Sequence, residues 1–317
     1  MANLNKLFSD FNKEITLKSK KKENLKRGRN ALRDKIRDKF SEKDRSKPKF
    51  CGQGSYMMKT VVNPIDSEYD LDDGVYIQGY SEKEIKEWPK ASTIHTWIKD
   101  AVDGHTSKSP VDKNTCVRVI YVNDYHIDLP AYIMKDDKAY LAHKRDGWIV
   151  SDPKAFTDWF RGKVKNDGEQ LRSLVKYLKA WKDYKKVDLK GISITILVGE
   201  NFYDYENRDD LALLGTLTNI IESLEDKFEC VKPVAPNENL FEGYSETKQA
   251  EIIKAITDLR DSIQKAVDKE DEKEASDIMI NYFGSRFPQG ESSTAEDKSE
   301  YVQAEAPAVL KNDGRSA

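Results

Sequence analysis

The spacing of apolar residues changes part-way along this chain, and that change limits the possible folds more than anything else in it. From residue 56 to 134 the apolar runs are short and rich in aromatic and β-branched residues. They are separated by turn-forming pairs such as Asn63-Pro64, Asp66-Ser67 and Asn123-Asp124. This pattern predicts strands over residues 56–62, 69–78, 115–122 and 125–134. The short connection at Asn123-Asp124 makes the last two an antiparallel hairpin. From residue 152 onward the runs lengthen and take a helical period, predicting helices over 153–165, 169–184, 192–202, 210–227, 246–268 and 270–283. Residues 231–243 carry two prolines and little periodicity, and read as a loop.

Two further helical stretches precede or interrupt the strands. Residues 4–45 read as helical, with Gly28, Leu32, Ile36 and Phe40 on one face, until Ser46-Lys47-Pro48 ends the run. Residues 81–102 read as helical, opened by a Ser81/Glu84 capping box and split at Pro89. A half-buried strand and an amphipathic helix each need a second layer to cover the apolar face. The expected class is therefore α+β: a mixed, twisted sheet flanked by helices, then a C-terminal helical lobe, with a cleft between them. The expected division is a core with N-terminal helices over residues 1–165, a helical lobe over 166–287 and a flexible tail over 288–317, where Gly, Ser, Thr, Glu, Ala and Pro dominate.

Of the 317 residues, 34% are charged but the net charge is only -3, so the overall balance selects no partner. Lysines and arginines crowd residues 13–49, a pattern that suits either a solvated helix face or an anion-binding one. The three cysteines, Cys51, Cys116 and Cys230, fit no zinc spacing and read as free thiols. No apolar run is long enough to span a membrane, and the first ten residues lack the apolar core of a signal peptide. A soluble, cytoplasmic monomer is expected.

The chemistry concentrates in Gly52-Gln53-Gly54-Ser55, in Glu68-Tyr69-Asp70-Leu71-Asp72, and in Tyr125-His126-Ile127-Asp128-Leu129-Pro130. Asp70 and Asp72 lie two apart on a predicted strand, so both carboxylates project from one face. Such a pair repels itself unless a cation neutralises it, and hard oxygen ligands suit Mg²⁺ or Mn²⁺. Asp128 stands alone among apolar neighbours, where an unpartnered acid is costly. On a strand beside the first it completes a three-carboxylate cluster able to hold two metal ions. Gly54 and Ser55 supply close backbone approach and donors for phosphate, with Gln53 beside them, though no Walker lysine follows. On the helix over 169–184, Arg172, Lys176 and Lys179 form a basic stripe opposite the apolar face, aimed at a triphosphate across the cleft. An Asp-x-Asp pair is common in surface turns, and a basic stripe is commonly a solvated face. The upstream Gly-Ser and the distant Asp128 set this combination apart.

Gly54-Ser55, Asp70-x-Asp72 and a distant Asp128 resemble the signature of the DNA polymerase β-like nucleotidyltransferase superfamily. The words around them narrow the resemblance to bacterial cGAS/DncV-like nucleotidyltransferases: Gly52-Gln53-Gly54-Ser55-Tyr56, Glu68 through Val75, His126-Ile127-Asp128-Leu129-Pro130-Ala131, Ser151-Asp152-Pro153-Lys154, Leu178-Lys179-Ala180-Trp181 and Phe283-Gly284. The resemblance spans residues 5 to 287. It implies a polymerase β-like core and synthesis of a cyclic di- or trinucleotide from ribonucleoside triphosphates, ATP or GTP among them, in anti-phage signalling. It implies that Asp70, Asp72 and Asp128 hold the metals, and that Ser55 and a lysine at or near Lys179 contact the donor triphosphate. It also implies operon-encoded partners, including conjugation through a flexible C-terminus in some members. Transfer of a nucleotide to RNA, protein or a small hydroxyl compound would use the same carboxylates. A non-catalytic nucleotide or RNA sensor would not need the full acid set.

Overall fold

A computed structural model of the protein describes residues 1–65, 68–122 and 125–292. The turns expected at Asp66-Ser67 and Asn123-Asp124, and the chain from residue 293, lie outside the described residues. Two helices come first, α1 (Asn5–Ile15) and α2 (Ser19–Glu42), followed by β1 (Lys49–Gln53), the single turn α3 (Gly54–Met58) and β2 (Tyr69–Tyr76). Helix α4 (Ala91–Val102) leads into β3 (Val111–Asp112), β4 (Val117–Tyr121), β5 (Tyr125–Leu129), β6 (Ala131–Lys135), β7 (Lys138–His143) and β8 (Gly147–Val150). The remaining elements are helical: α5 (Pro153–Asp167), α6 (Glu169–Lys185), α7 (Gly191–Asn201), α8 (Asp209–Asp226), α9 (Glu246–Val267) and α10 (Glu272–Phe283).

The sheet is mixed, as the sequence leads one to expect, and β2 is its hub. Strand β1 runs antiparallel along one edge of β2, while β5 and then β6 run parallel along the other. Pro130 interrupts what would otherwise be one strand from 125 to 135. It has no N–H to give the ladder, but its carbonyl accepts from Val75 N–H at 2.8 Å and keeps the two segments in register. The rest of the sheet is antiparallel, with β3 and β4 beyond β5, and β7 and β8 beyond β6.

Several expectations are corrected. Residues 56–62 are not a strand. The strand is β1, just upstream, and Gly54–Met58 coils into one helical turn, closed by Lys59 in the left-handed conformation and by Thr60 N–H donating to Ser55 O at 2.9 Å. The run 4–45 is two helices, parted at Thr16, where an extended backbone lets the hydroxyl bond back to Asn12 O. The capping box lies at Glu84 and Glu87, around a short 3₁₀ turn, and α4 starts only past Pro89. Strands β7 and β8 went unforeseen. The hairpin that joins β6 to β7 turns on Asp136-Asp137, both at positive φ, rather than on the Asn-Gly or Asp-Gly pair that normally signals such a turn. Residues 288–292, expected in the loose tail, are docked on α10: Gly290 N–H donates to Ser276 Oγ at 2.8 Å and Glu291 N–H to Glu272 Oε2 at 3.1 Å.

Two large apolar cores lie among the described residues, beside a small cluster of Tyr132, Ala139 and Leu141. One lies between the sheet and α2 and α4, where Leu32, Ile36 and Phe40 meet Leu71, Ile127 and Ile98. Gly28 lets α2 ride close on the sheet, since a Cβ there would stand 2.9 Å from the Tyr121 hydroxyl and 3.1 Å from Ile127. The other core is helical and includes α1 and α5, although sequence position groups both with the sheet half. Phe8 packs edge-on against Tyr177, Phe283 and Phe287, while Phe11 stacks on Tyr177 and tilts against Phe283 and Phe287, with ring centroids 5.0–5.8 Å apart. No helix among the described residues is long and apolar enough to cross a membrane.

Candidate active site

Where the two halves face each other, a cleft of about 480 Å³ opens. Its floor is built at the end of β1. The chain leaves β1 at Gln53 and turns at Gly54, whose φ is +69°. A Cβ at Gly54 would lie 2.2 Å from Asp72 Oδ2. Only glycine therefore allows the backbone to pass over that carboxylate. Ser55 follows in the first turn of α3 and lines the cleft.

Strand β2 carries Asp70 and Asp72 into the same cleft, as their period-two spacing predicts. The parallel register sets His126 opposite Asp70 and Asp128 opposite Asp72. On the other side of β5, the antiparallel register sets Arg118 opposite Asp128, and its guanidinium donates to both carboxylate oxygens at 2.7 Å. Three acids thus sit on two adjacent strands, but Asp128 is held by Arg118. Among the described residues, no three side chains of metal-binding type converge into a ready cluster.

The electrostatics single out Asp72. Its carboxyl is pushed well above the usual carboxylate range, first by burial and then by repulsion from Asp70 and Asp128, with Arg118 pulling the other way. A cation bound there would relieve that repulsion. A hard divalent ion such as Mg²⁺ fits the oxygen donors of Asp70 and Asp72, with Asp128 alongside and shared with Arg118. His126 borders the same place: Nδ1 pairs with Glu68 Oε2 at 2.9 Å, while Nε2 is buried without a hydrogen-bond partner, 4.0 Å from Asp70 Oδ2.

The facing wall belongs to the helical half. Lys179 of α6 lines the cleft, its ammonium donating to the Thr60 hydroxyl at 3.1 Å and the Thr60 carbonyl at 3.3 Å. Burial pushes Lys179 down to about 8, and the negative charge of Asp70 only partly opposes it. The start of α7, with Gly191 and Thr195, completes this wall, together with Ser151-Asp152 and with Lys232, Val234 and Ala235 of the predicted loop.

The other expected site residues fall differently. Gln53 lines the cleft, yet its amide nitrogen donates to the Tyr132 hydroxyl at 3.0 Å. Lys176 does not line it. One helical turn before Lys179, it points to the break between α1 and α2, donates to Thr16 Oγ1 at 3.1 Å, and is likewise pushed down to about 8 by burial. Arg172 is buried and donates to Met58 O at 2.9 Å. The stripe expected to face solvent or phosphate is thus largely used to join the helical half to the loop after α3. Arg118 and Thr60 were missed from the sequence. A careful hairpin register would have paired Arg118 with Asp128, whereas nothing local marks Thr60, since its partners are 5 and 119 residues away.

Two family models match the chain. Residues 48–132 match the DncV-like cyclic GMP-AMP synthase nucleotidyltransferase domain, and residues 168–296 match the C-terminal domain of cyclic GMP-AMP synthase. The chain belongs to the cGAS/DncV-like nucleotidyltransferase family. The first matched segment holds Gly54, Ser55, Asp70, Asp72 and Asp128, and the second holds Lys179, so the cleft lies where the two parts of a cGAS/DncV-like nucleotidyltransferase meet. Similar proteins include a cyclic GMP-AMP synthase of Escherichia albertii, 30% identical over 67% of this chain and 50% of its own length. Another is a cyclic AMP-AMP-AMP synthase of an Acinetobacter strain, 24% identical over 75% of this chain and 72% of its own. The chain spans about half the length of the cyclic GMP-AMP synthases it matches. The fold matches the crystal structure of Vibrio cholerae DncV, a cyclic AMP-GMP synthase, with a TM-score of 0.77 at 19% identity, covering 90% of this chain and 98% of that one.

Proposed function

We propose that this cleft joins ribonucleoside triphosphates into a cyclic di- or trinucleotide, releasing pyrophosphate at each bond, as a signal in anti-phage defence. The observation that carries the reading is the stacking of Gly54 over Asp72. A backbone forced bare over a half-buried carboxylate that resists ionisation, with Ser55 next to it, suits a metal-bound triphosphate. The names of the relatives, cyclic GMP-AMP and cyclic AMP-AMP-AMP synthases, support the product class and leave both ring sizes in view.

In this reading Ser55 and the backbone at Gly54 take the donor's phosphates from below, and Lys179 takes them from the facing wall. Asp70 and Asp72, with Asp128, hold Mg²⁺ or Mn²⁺. Bound there, the metal supplies positive charge for the attacking hydroxyl and the leaving pyrophosphate. A ribose hydroxyl oxygen forms a bond to the donor's α-phosphorus, the bond from that phosphorus to the β-phosphate oxygen breaks, and the hydroxyl proton is lost. Lys179 contributes by stabilising charge on the departing group.

The test is mass spectrometry after incubation with all four triphosphates, Mg²⁺ and Mn²⁺, followed by phosphatase. A phosphatase-resistant di- or trinucleotide is expected. A stable nucleotide adduct on added RNA or protein would move the assignment to a different acceptor. Nucleotide binding with no turnover under any of these conditions would favour a sensor.

A further inference from the structure

We propose that Thr60 is a positioning residue for the donor triphosphate, holding Lys179 and the phosphate cradle at Ser55 in fixed relation across the cleft. This rests on the reading of the cleft as a triphosphate site. Thr60 is fully buried and makes bonds in two directions. Its N–H donates to Ser55 O at 2.9 Å, closing the turn that presents the Ser55 hydroxyl. Its own hydroxyl and carbonyl accept from Lys179 at 3.1 and 3.3 Å. One residue thus joins the cationic group of the helical half to the phosphate-facing turn of the sheet half.

The loop around Thr60 is anchored on both sides. Arg172 donates to Met58 O at 2.9 Å, and Arg286 donates to Asn63 O at 2.6 Å. Thr60 therefore stays put. Its two acceptors take two of the three ammonium protons of Lys179, leaving the third for phosphate. A lysine has four rotatable bonds and would otherwise lose considerable freedom on binding. Held by Thr60, it loses less, and the gain appears in triphosphate affinity. The effect belongs to binding of the phosphates rather than to the fold at large.

The experiment measures MgATP and MgGTP affinity by calorimetry for the wild type, Thr60→Val, Thr60→Ser, Lys179→Met and the double variant Thr60→Val/Lys179→Met, with adenosine and guanosine as phosphate-free controls. Thr60→Val keeps shape and backbone but removes the hydroxyl. It should weaken triphosphate binding about tenfold, the worth of one charge-assisted hydrogen bond, and leave nucleoside binding unchanged. Thr60→Ser should restore the affinity. In the Lys179→Met background, Thr60→Val should have no further effect, which a merely structural role would not produce. Equal loss of nucleoside and triphosphate binding, or additive losses in the double variant, overturns the role of Thr60. If Lys179→Met is weak while Thr60→Val matches the wild type, the cleft reading stands and the Thr60 proposal falls. Wild-type protein that binds neither triphosphate overturns both.

Discussion

The two walls of the cleft handle charge in opposite ways. On the sheet side, Asp70, Asp72 and Asp128 crowd together, Arg118 meets only one of them, and Asp72 is left resisting ionisation. On the helical side, Lys179 is given neutral oxygen acceptors by Thr60, and behind it, away from the cleft, Lys176 is given Thr16 Oγ1. The acids are short of positive charge and the lysines short of negative charge, yet the two sets do not neutralise each other. The walls face each other across space that a metal and a triphosphate would fill. The comparison teaches that the site is built as two complementary deficits, a common way of keeping ligand charge in demand.

The largest effect should come from the acid wall. Asp72→Asn keeps the shape, removes the charge, and should cut product formation on the order of 10³-fold or more while the protein stays folded. Product yield by mass spectrometry, beside an unchanged melting curve, checks it, and near-normal yield would break the assignment of deficit to that wall. Arg118→Met asks how unbalanced the wall is. It leaves Asp128 buried beside Asp72 with no cation, so it should destabilise the metal-free protein by about 3 kcal/mol. Mn²⁺ should recover more of that stability in the variant than in the wild type. Thermal unfolding with and without chelator reads both, and an equal response to Mn²⁺ would mean that the metal does not neutralise these acids.

Effects on the lysine wall should be smaller. Lys179→Met removes one charge-assisted contact and should weaken triphosphate binding about 30-fold, or ~2 kcal/mol. The least effect is that of pH. Lys179 is pushed down to about 8, so it is charged below that pH and neutral above it. Phosphate favours the charged form, so triphosphate affinity should hold below pH 8 and fall as pH rises beyond it, by up to about tenfold per unit. Calorimetry between pH 7 and 9.5 tests this. The fall should vanish in Lys179→Met even though Lys176, also pushed down to about 8, remains. A fall that persists would place the responsible group elsewhere.

How much of this was legible in the sequence depended on how local each cause was. The Asp70/Asp72 pair was legible because strand period alone puts both side chains on one face, and the Gly28–Phe40 face of α2 because helical period does the same. Lys179 and Lys176 were not separable, since three residues along a helix turn one side chain into the cleft and the other toward Thr16. The strand expected at 56–62 failed for another reason. Tyr56, Met57 and Met58 suit a strand, but the conformation there is set by Gly54 passing over Asp72 and by Thr60 closing on Ser55, contacts that local propensity does not see. The start of the tail was misjudged because its composition is polar, while Gly290 docks where a Cβ would meet Glu272 O at 2.6 Å.

The clasp between Arg286 and Asn63 has a consequence for synthesis of the chain. The loop after α3 is made early, yet one of its anchors comes from residue 286, 223 positions later, and Phe283 and Phe287, which pack on α1, come from the same late stretch. Until the ribosome has released that stretch, the cleft lacks one side of its frame. A prematurely terminated or nicked product ending before it would carry every acid of the site but no fully braced wall opposite them. The cleft should therefore be fully framed only once residues 283–287 have been made.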